Sequence, residues 1–323
     1  MLLQLLFIIV GIVLVLRGAD CMTEGAVGLA RRFHVSEMVI GLTIVAAGTS
    51  APELFVSVVS ALNGTTDMAV GNVLGSNTMN ALLIVGVAAL VAPMIISRTT
   101  VNKDIPFAVA ASLLLLVLCL DRRLSASIAG NHISRIDGVL LLAGFAVFMA
   151  YTFRSARKGV VDNTEDKDVE DVVPMSAWRG VFFVVLGLAC LVVGANVFVN
   201  AASQVAQQLG VSDGVIGLTI VAGGTSLPEL ATSVVAARKG QSAIAIGNVI
   251  GSNVFNILLI LGVTAVISPM QIEGITAIDL LIMLVSVAMV WLFSATKLTV
   301  ARWEGAVLVL VYVGYLAWLL SNL

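Results

Sequence analysis

Two glutamates lie inside long stretches of the sequence that otherwise contain only apolar and small residues. Glu53 follows the run GLTIVAAGTSAP, and Glu229 follows the run GLTIVAGGTSLP. If these stretches cross a membrane, a charged side chain there is unfavourable by at least about 2.5–3.5 kcal/mol, and such residues are usually functional. Their chemistry would be the binding of a cation, because carboxylates are ligands that hard metal ions prefer.

Each glutamate directly follows a proline, and each proline lies two residues after a Gly-Thr-Ser run. Pro52 and Pro228 lack a backbone N–H and clash with the carbonyl four residues earlier, so the carbonyls of Gly48 and Gly224 are predicted to be freed. The Gly-Thr-Ser run can unwind and expose further carbonyls. Calcium takes six to eight oxygen ligands at about 2.3–2.6 Å, and carboxylates, hydroxyls and bare carbonyls are such ligands.

The same residues also permit a purely structural interpretation. Ser50-x-x-Glu53 and Ser226-x-x-Glu229 fit the capping box, in which the glutamate only closes the start of a helix. A cap alone does not account for a buried charge in two membrane spans. We therefore favour cation binding, with which capping can coexist.

A second motif follows one span later and reads GNVLGSN in one place and GNVIGSN in the other. Ser76 and Asn80 are four residues apart and share a helical face, and Ser252 and Asn256 repeat this spacing. Polar residues within spans often only join helices by hydrogen bonds. Because these accompany the glutamate motif in both places, we predict that the serines and asparagines are cation ligands.

Other polar residues in the spans are predicted to have supporting roles. Ser57 and Ser233 lie one helical turn after the glutamates and are expected to pack or to support them. Arg17, Asp20 and Glu24 share a face of the first span, but their counterparts in the second half of the chain carry no charge. That asymmetry indicates a local ion pair rather than part of a central site.

The elements that position these motifs are predicted to be membrane-spanning helices. Hydrophobic residues make up 59% of the 323 residues, charged residues make up 11%, and the mean hydropathy is +1.09. A soluble protein has about 25% charged residues, and a helix needs about 20 apolar residues to cross a bilayer. Ten candidate spans fit the sequence: 2–29, 35–61, 67–92, 104–120, 136–154, 178–203, 211–237, 242–268, 276–294 and 303–320.

The motifs occur twice because the chain contains an internal repeat. Residues 35–94 align with residues 211–270 without a gap, at an offset of 211 − 35 = 176, and 37 of the 60 aligned positions are identical. We therefore predict an N-terminal half, 1–154, and a C-terminal half, 178–323, each with five spans. A solvated acidic linker, 155–177, joins them.

Shorter matches extend the repeat outside this region. Gly18-Ala19-Asp20 matches Gly194-Ala195-Asn196, and Asp137-Gly138 matches Glu304-Gly305. Five spans is an odd number, so the second half is expected to enter the membrane from the opposite side. Inverted repeats with Gly/Pro-interrupted spans in matching positions are typical of secondary transporters with a binding site at the membrane midplane.

The loop charges predict the orientation of the chain. Thirteen basic residues lie on one side of the ten spans: Arg31, Arg32, Arg98, Lys103, Arg154, Arg157, Lys158, Lys167, Arg179, Arg238, Lys239, Lys297 and Arg302. Only Arg122, Arg123 and Arg135 lie on the other. Because cytoplasmic loops are enriched in Lys and Arg, we expect a cell-membrane protein with both termini outside and the linker in the cytoplasm.

The duplicated GTS-x-PE and GN-x-x-GSN motifs resemble the α-repeats of the calcium/cation antiporter superfamily, in particular those of prokaryotic sodium/calcium exchangers. The resemblance covers essentially the whole chain. It implies ten helices that surround four adjoining cation sites, of which one favours calcium and others favour sodium.

The resemblance also implies a role for each matched residue. Glu53 and Glu229 would be the central calcium ligands, with Thr49 and Thr225 beside them. Hydroxyls and two main-chain carbonyls would bind sodium; these are Ser50, Ser226, Ser76, Ser252, Ala46 and Ala222. Asn80 and Asn256 match the positions that flank the middle site, and some relatives have aspartate in place of Asn256.

We therefore expect an all-α membrane protein of ten transmembrane helices in two inverted five-helix repeats. It would exchange Ca2+ for Na+ by alternating access, with no covalent chemistry, no cofactor and no enzymatic activity. Three sodium ions per calcium would make the exchange electrogenic, and a neutral Asn256 favours independence from potassium. The expected partners are the two ions and the lipid bilayer, with no nucleic acid and no obligatory protein partner.

Three alternatives remain at the level of sequence. A proton/calcium or other divalent-cation antiporter would be expected to carry an acid shortly after each Gly-Asn pair, where this chain has Val-Leu-Gly and Val-Ile-Gly. A cation channel could use the same oxygen ligands without a counter-ion. An intramembrane hydrolase is disfavoured because His34 and His132, the two histidines, both lie outside the predicted spans and cannot activate a midplane serine.

Overall fold

A computed structural model describes residues 2–120, 131–162, 175–210, 220, 222–272 and 275–321, which are mostly helical. The helices are α1 Leu2–Phe33, α2 Glu37–Thr49, α3 Ala51–Leu62, α4 Thr66–Val91, α5 Ile105–Leu120, α6 Arg135–Asp162, α7 Ala177–Gln208, α8 Ala222–Thr225, α9 Leu227–Arg238, α10 Ser242–Ile267, α11 Ala277–Lys297 and α12 Arg302–Ser321. Four short strands are β1 Met94–Ile95, β2 Asn131–Ile133, β3 Met270–Ile272 and β4 Thr299–Val300. Wider π-helical turns occur in α2, in α4, before α5 and in α10, at Gly41–Val45, Asn80–Ile84, Thr100–Asp104 and Phe255–Ile260.

The described helices agree closely with the predicted spans. Eight are long and apolar enough to cross a membrane, and α2 with α3 counts as a ninth span that is broken at Ser50. The remaining predicted span, 211–237, lies partly outside the described residues, and α8 and α9 are its described part. The prediction of a multi-spanning helical membrane protein is confirmed, and the number ten stays a prediction.

The helix α6 is longer than the predicted fifth span. It runs to Asp162, whereas the apolar stretch was expected to end at residue 154. Arginine and lysine end an apolar stretch but not a helix, because both have high helix propensity. The predicted linker therefore begins within α6, and its residues 163–174 lie outside the described part of the chain.

The chain folds into two compact units. Unit one consists of Met1–Thr49 and Met149–Gly251, and unit two of Ser50–Phe148 and Ser252–Leu323. The boundaries fall inside both copies of the repeat, so each unit contains parts of both predicted halves.

In unit one, α1 and α7 pack against each other along rows of glycines spaced seven residues apart. A Cβ atom placed on Gly11 would lie 2.9 Å from the carbonyl oxygen of Gly194, and one on Gly25 would lie 2.8 Å from that of Gly180. The central pair is Gly18 and Gly187, where the same distance is 2.8 Å. Small residues let membrane helices approach closely, and here the backbones meet directly.

The order of these contacts shows that α1 and α7 are antiparallel, because the early glycine of one meets the late glycine of the other. The two helices are also matched by the sequence repeat, in which Gly18 corresponds to Gly194. Equivalent helices that run in opposite directions are what an inverted repeat requires.

Unit two contains two further glycine contacts that correspond to each other in the repeat. A Cβ on Gly86 of α4 would lie 2.8 Å from the carbonyl oxygen of Gly305 in α12. One on Gly138 of α6 would lie 2.8 Å from that of Gly262 in α10. The acid before each of the glycines Gly138 and Gly305 caps its own helix: Asp137 accepts from the N–H of Ser134 at 2.8 Å, and Glu304 from that of Ala301 at 2.7 Å. In the short match of Asp137-Gly138 with Glu304-Gly305, the acid therefore caps a helix and the glycine allows two helices to contact each other.

Two antiparallel ribbons complete unit two. β1 pairs with β4, with Met94 opposite Val300, and β2 pairs with β3, with Ile133 opposite Met270. Met94 and Met270 are equivalent in the repeat, so each copy ends in a strand that is paired with a strand outside the repeat.

Candidate functional site

A break of one residue precedes each of the two glutamates. Ser50 separates α2 from α3, with φ −84° and ψ 5°, and Ser226 separates α8 from α9, with φ −89° and ψ 8°. Each proline then occupies the first turn of the new helix, where a missing N–H removes no hydrogen bond. Glu53 and Glu229 lie in the same first turn, and both are fully buried.

The break is narrower than the predicted unwinding of the whole Gly-Thr-Ser run. Ala46–Thr49 and Ala222–Thr225 remain helical, because a proline disturbs only the carbonyls that its own missing N–H and ring would meet. The last carbonyls of a helix have no partner within that helix, so α2 and α8 still end in oxygens that can accept from outside. The Ala46 carbonyl oxygen lies 3.4 Å from the Thr49 hydroxyl oxygen.

The capping-box interpretation is not realised at the two serines. The hydroxyls of Ser50 and Ser226 make no capping hydrogen bond to α3 or α9, although both serines are buried. Elsewhere in the chain Ser36 caps α2, Ser176 caps α7, and Thr276 forms a full capping box with Asp279 at α11. The two site serines are therefore not accounted for as helix caps.

In unit one, Asn248 ties three helices together around Glu229. Its Nδ2 donates to the main-chain carbonyl of Glu229 at 3.3 Å and to the Ser233 hydroxyl at 2.9 Å. The Thr49 hydroxyl donates to Asn248 Oδ1 at 3.1 Å. Asn248 thus connects the end of α2, the first turn of α9 and the middle of α10.

Unit two has the equivalent arrangement around Glu53. Asn72 Nδ2 donates to the main-chain carbonyl of Glu53 at 3.2 Å and to the Ser57 hydroxyl at 3.0 Å. Ser57 in turn donates to the carbonyl of Ala69 at 3.3 Å. Ser57 and Ser233 therefore have the supporting role that the sequence predicts, since each accepts from an asparagine that braces the turn carrying the glutamate.

Unit two contains several side-chain oxygens that are buried and have no hydrogen-bond partner in the part of the chain that the structure describes, including those of Thr264 and Ser294. Four of these oxygens belong to the predicted ligand residues of the second motif: Ser76 Oγ, Asn80 Oδ1, Ser252 Oγ and Asn256 Oδ1. Buried polar atoms almost always have a hydrogen-bond partner. A hydroxyl or amide oxygen has lone pairs that can bind a metal ion instead. A bound cation would supply the partner that these four oxygens lack.

The twelve residues singled out by sequence divide evenly between the units. Unit one contains Ala46, Thr49, Ala222, Thr225, Ser226 and Glu229. Unit two contains Ser50, Glu53, Ser76, Asn80, Ser252 and Asn256. Thr225 is partly exposed. Ala222 is the first residue of α8.

Four asparagines of the second motif were not predicted to act in the site: Asn72, Asn77, Asn248 and Asn253. All four make side-chain hydrogen bonds inside the protein, and Asn77, Asn248 and Asn253 are fully buried. The signal that identifies them was present in the sequence, because each is an amide in an apolar span and recurs at the offset of 176. The same reasoning that selected Ser76 and Asn80 applies to them.

The charged residues of α1 are separate from these groups. Asp20 forms an ion pair of 2.9 Å with Lys239, the residue after α9, and both side chains are 37% exposed. An ion pair is present at Asp20, but its partner Lys239 belongs to another part of unit one and not, as the sequence had suggested, to the first span.

Comparisons with known proteins agree with this architecture. The family described as sodium/calcium exchanger protein matches residues 3–154 and 179–321. CaxA of Alkalimonas amylolytica is 38% identical over 100% of both chains, and the sodium/calcium exchanger MaX1 of Methanosarcina acetivorans is 34% identical over 96% of this chain and 97% of its own. A solved structure of the sodium-calcium exchanger NCX_Mj, soaked with 2.5 mM Na+ and 10 mM Sr2+, matches with a TM-score of 0.83 at 30% identity and covers 98% of both chains.

Proposed function

Because the chain belongs to the sodium/calcium exchanger protein family, we propose that it exchanges Ca2+ for Na+ across the cell membrane by alternating access. Membership of the family makes the protein a multi-pass membrane antiporter of cations and not an enzyme. The coupling of calcium to sodium in this chain, rather than to protons or another ion, is the proposal.

The observation that carries the proposal is the set of buried oxygens without donors. Leaving a buried hydroxyl or amide oxygen unsatisfied costs about 1–3 kcal/mol, and a bound cation supplies the missing partner. The four oxygens of Ser76, Asn80, Ser252 and Asn256 are hard ligands, of the kind that calcium prefers over softer metals. The carboxylates of Glu53 and Glu229 are hard ligands as well. No nitrogen or sulfur ligand is needed.

We assign the roles that the family resemblance implies. Glu53 and Glu229 bind calcium through their carboxylates, with Thr49 and Thr225 as additional ligands. The Thr49 hydroxyl hydrogen is directed at Asn248, so Thr49 would bind through its main-chain carbonyl or the remaining lone pairs of its hydroxyl. The proposed sodium ligands are Ser50, Ser226, Ser76, Ser252 and the carbonyls of Ala46 and Ala222.

Calcium uptake into proteoliposomes tests the coupling and its charge. Two glutamates supply two negative charges, which one Ca2+ neutralises, whereas three Na+ leave an excess of one positive charge. We therefore expect labelled Ca2+ to enter only sodium-loaded vesicles and each cycle to move one net charge, worth about 2.3 kcal/mol per 100 mV. Because Asn256 is a neutral amide, potassium should have no effect on the rate.

Vesicles loaded with choline in place of sodium are the control, and the membrane potential is clamped with an ionophore. Uptake driven by a pH gradient alone would identify a proton/calcium antiporter instead. Uptake without any counter-ion would identify a channel. An absolute requirement for potassium, or an equilibrium indifferent to voltage, would contradict the corresponding part of the proposal.

The proposed orientation has an independent test. The proposal that both termini lie outside is supported by thirteen basic residues on one side of the predicted spans against three on the other. In a cysteine-free protein, single cysteines at either terminus should react with an impermeant thiol reagent in intact cells. A cysteine at position 163 should react only after the cells are opened. Labelling of position 163 in intact cells would reverse the topology.

A further inference from the structure

Four asparagines of α4 and α10 are joined by side-chain hydrogen bonds in unit two; we call Asn77, Asn80, Asn253 and Asn256 the amide ring. Asn77 Nδ2 donates to the main-chain carbonyl of Asn253 at 3.2 Å, and Asn253 Nδ2 donates to that of Asn77 at 3.5 Å. Asn80 Nδ2 donates to Asn253 Oδ1 at 3.1 Å, and Asn256 Nδ2 donates to Asn77 Oδ1 at 3.0 Å. All four residues are fully buried.

The two main-chain carbonyls determine the direction of every amide in the ring. A carbonyl can only accept, so the side chains of Asn77 and Asn253 must point their NH2 groups at these carbonyls. Their Oδ1 atoms then lie on the other side and can only accept from Asn256 and Asn80. Asn80 and Asn256 must therefore donate their NH2 groups to these Oδ1 atoms. This assignment of nitrogen and oxygen follows from the hydrogen bonds and does not depend on the starting orientation of the amides.

The consequence is that Asn80 Oδ1 and Asn256 Oδ1 point away from the ring. These two are the buried asparagine oxygens that accept no hydrogen bond within the described ranges of the chain. Asn80 is the first residue of the π-helical turn Asn80–Ile84 in α4, and Asn256 is the second residue of the turn Phe255–Ile260 in α10. Such turns occur frequently at functional sites.

We propose that Asn77 and Asn253 are positioning residues, which hold the carbonyl oxygens of Asn80 and Asn256 toward the transported cation. They do not touch the ion themselves. Each acts on the ligand contributed by the other motif copy: Asn253 on Asn80, and Asn77 on Asn256. This inference rests on the proposed function, because the proposed function supplies the cation that the oxygens of Asn80 and Asn256 would bind.

The ring also accounts for an amide rather than a carboxylate at position 256. An ionised aspartate has no N–H to donate, and its oxygen would lie against Asn77 Oδ1, which is also an acceptor. Asn77 would then have to rotate and release its bond to the carbonyl of Asn253. The identity of residue 256 and the orientation of Asn77 therefore depend on each other.

The pairing can be tested by double-mutant cycles on the full-length protein. Removal of a group that orients a metal ligand typically weakens metal affinity about 10–100-fold. We therefore expect Asn253→Ala to raise the half-saturating concentration of Ca2+ or Na+ at least about tenfold. In an Asn80→Ala background the same change should add little, because the ligand that it orients is absent. Asn77→Ala and Asn256→Ala should behave as the second such pair.

The cross pair Asn77→Ala with Asn80→Ala is the matched control, and its effects should add. Asn253→Asp should also raise the half-saturating concentration, because a carboxylate has no N–H to donate to the main-chain carbonyl of Asn77 and its oxygen is then not held toward Asn80. Additive effects within the proposed pairs, or reduced maximal rate with unchanged half-saturation for both ions, would overturn the inference.

A second measurement separates this inference from the proposed exchange. The shift in thermal unfolding temperature with added CaCl2 reports binding without transport. If the parent protein transports no calcium but is stabilised by it, and Asn253→Ala requires about tenfold more calcium for the same shift, the ring is supported while the exchange mechanism is wrong. If the parent is stabilised and Asn253→Ala responds identically, the ring proposal is wrong.

Discussion

Replacement of Glu53 or Glu229 by alanine is expected to abolish sodium-driven calcium uptake while the protein is still inserted in the membrane. Both carboxylates are fully buried at the start of a helix that follows a break. Removing one partner of a buried charge interaction typically costs about 3–5 kcal/mol, which corresponds to a loss of more than about hundredfold in affinity. Each single variant should lose the activity, because one remaining carboxylate neutralises only half the charge of Ca2+.

Glutamine in place of each glutamate separates charge from shape, since it keeps one oxygen and the length of the side chain. We expect the glutamine variants to be nearly as inactive as the alanine variants. Asp20→Ala is the control, because Asp20 is half-exposed in an ion pair with Lys239 and exposed pairs contribute at most about 1 kcal/mol. Near-normal calcium uptake by Glu53→Ala, or an equal loss in Asp20→Ala, would contradict the assignment.

The second large effect is expected at the contact between α1 and α7. A Cβ on Gly187 would lie 2.5 Å from the amide nitrogen of Met22 and 2.7 Å from the carbonyl oxygen of Gly18, so neither neighbour can yield by a side-chain rotation. Gly187→Leu must therefore separate the two backbones along their length. We expect this variant to lose most of the monodisperse protein recovered in detergent, and Gly187→Ala to lower the unfolding temperature by a smaller amount.

Gly314→Leu in α12 is the matched control, because the structure describes no atom within 4 Å of a Cβ at that position. The size-exclusion profile and the unfolding temperature of the two leucine variants should be compared in the same detergent. If Gly187→Leu is as stable as Gly314→Leu, direct backbone contact between α1 and α7 does not hold unit one together.

Much of the fold could be predicted because the membrane imposes simple rules on a sequence. Apolar runs of the required length give the spans, and the boundaries of α4 and α10 differ from the prediction by at most one residue at each end. The π-helical turns were not predicted, because one extra residue in a turn barely alters an apolar run. The ribbons of β1 with β4 and β2 with β3 also went unseen, since strands of two or three residues leave almost no pattern.

The identities of the candidate ligands could be proposed from sequence, but their hydrogen bonds could not. Glu53 and Ser76 stand out as polar residues in apolar spans that recur at a fixed offset. Asn77 and Asn253 bond to each other although they lie 176 residues apart in the sequence. Only the tertiary structure therefore reveals that the amides of the two copies meet. The sequence predicted an unwound Gly-Thr-Ser run, whereas the structure has a helix break at Ser50 only. A proline indicates that the helix is interrupted nearby but not how many residues are non-helical.

The amide ring differs from the glutamates in its response to acid. An amide neither gains nor loses a proton in the physiological range, whereas protons compete with metal ions for a carboxylate. The proposed ligands Asn80 and Asn256 would therefore bind a cation through oxygens whose own charge does not change with pH. If acid inhibits transport through the proposed site, the protons would act on the carboxylates of Glu53 and Glu229, and the amides would supply the part of the ion coordination that takes up no proton.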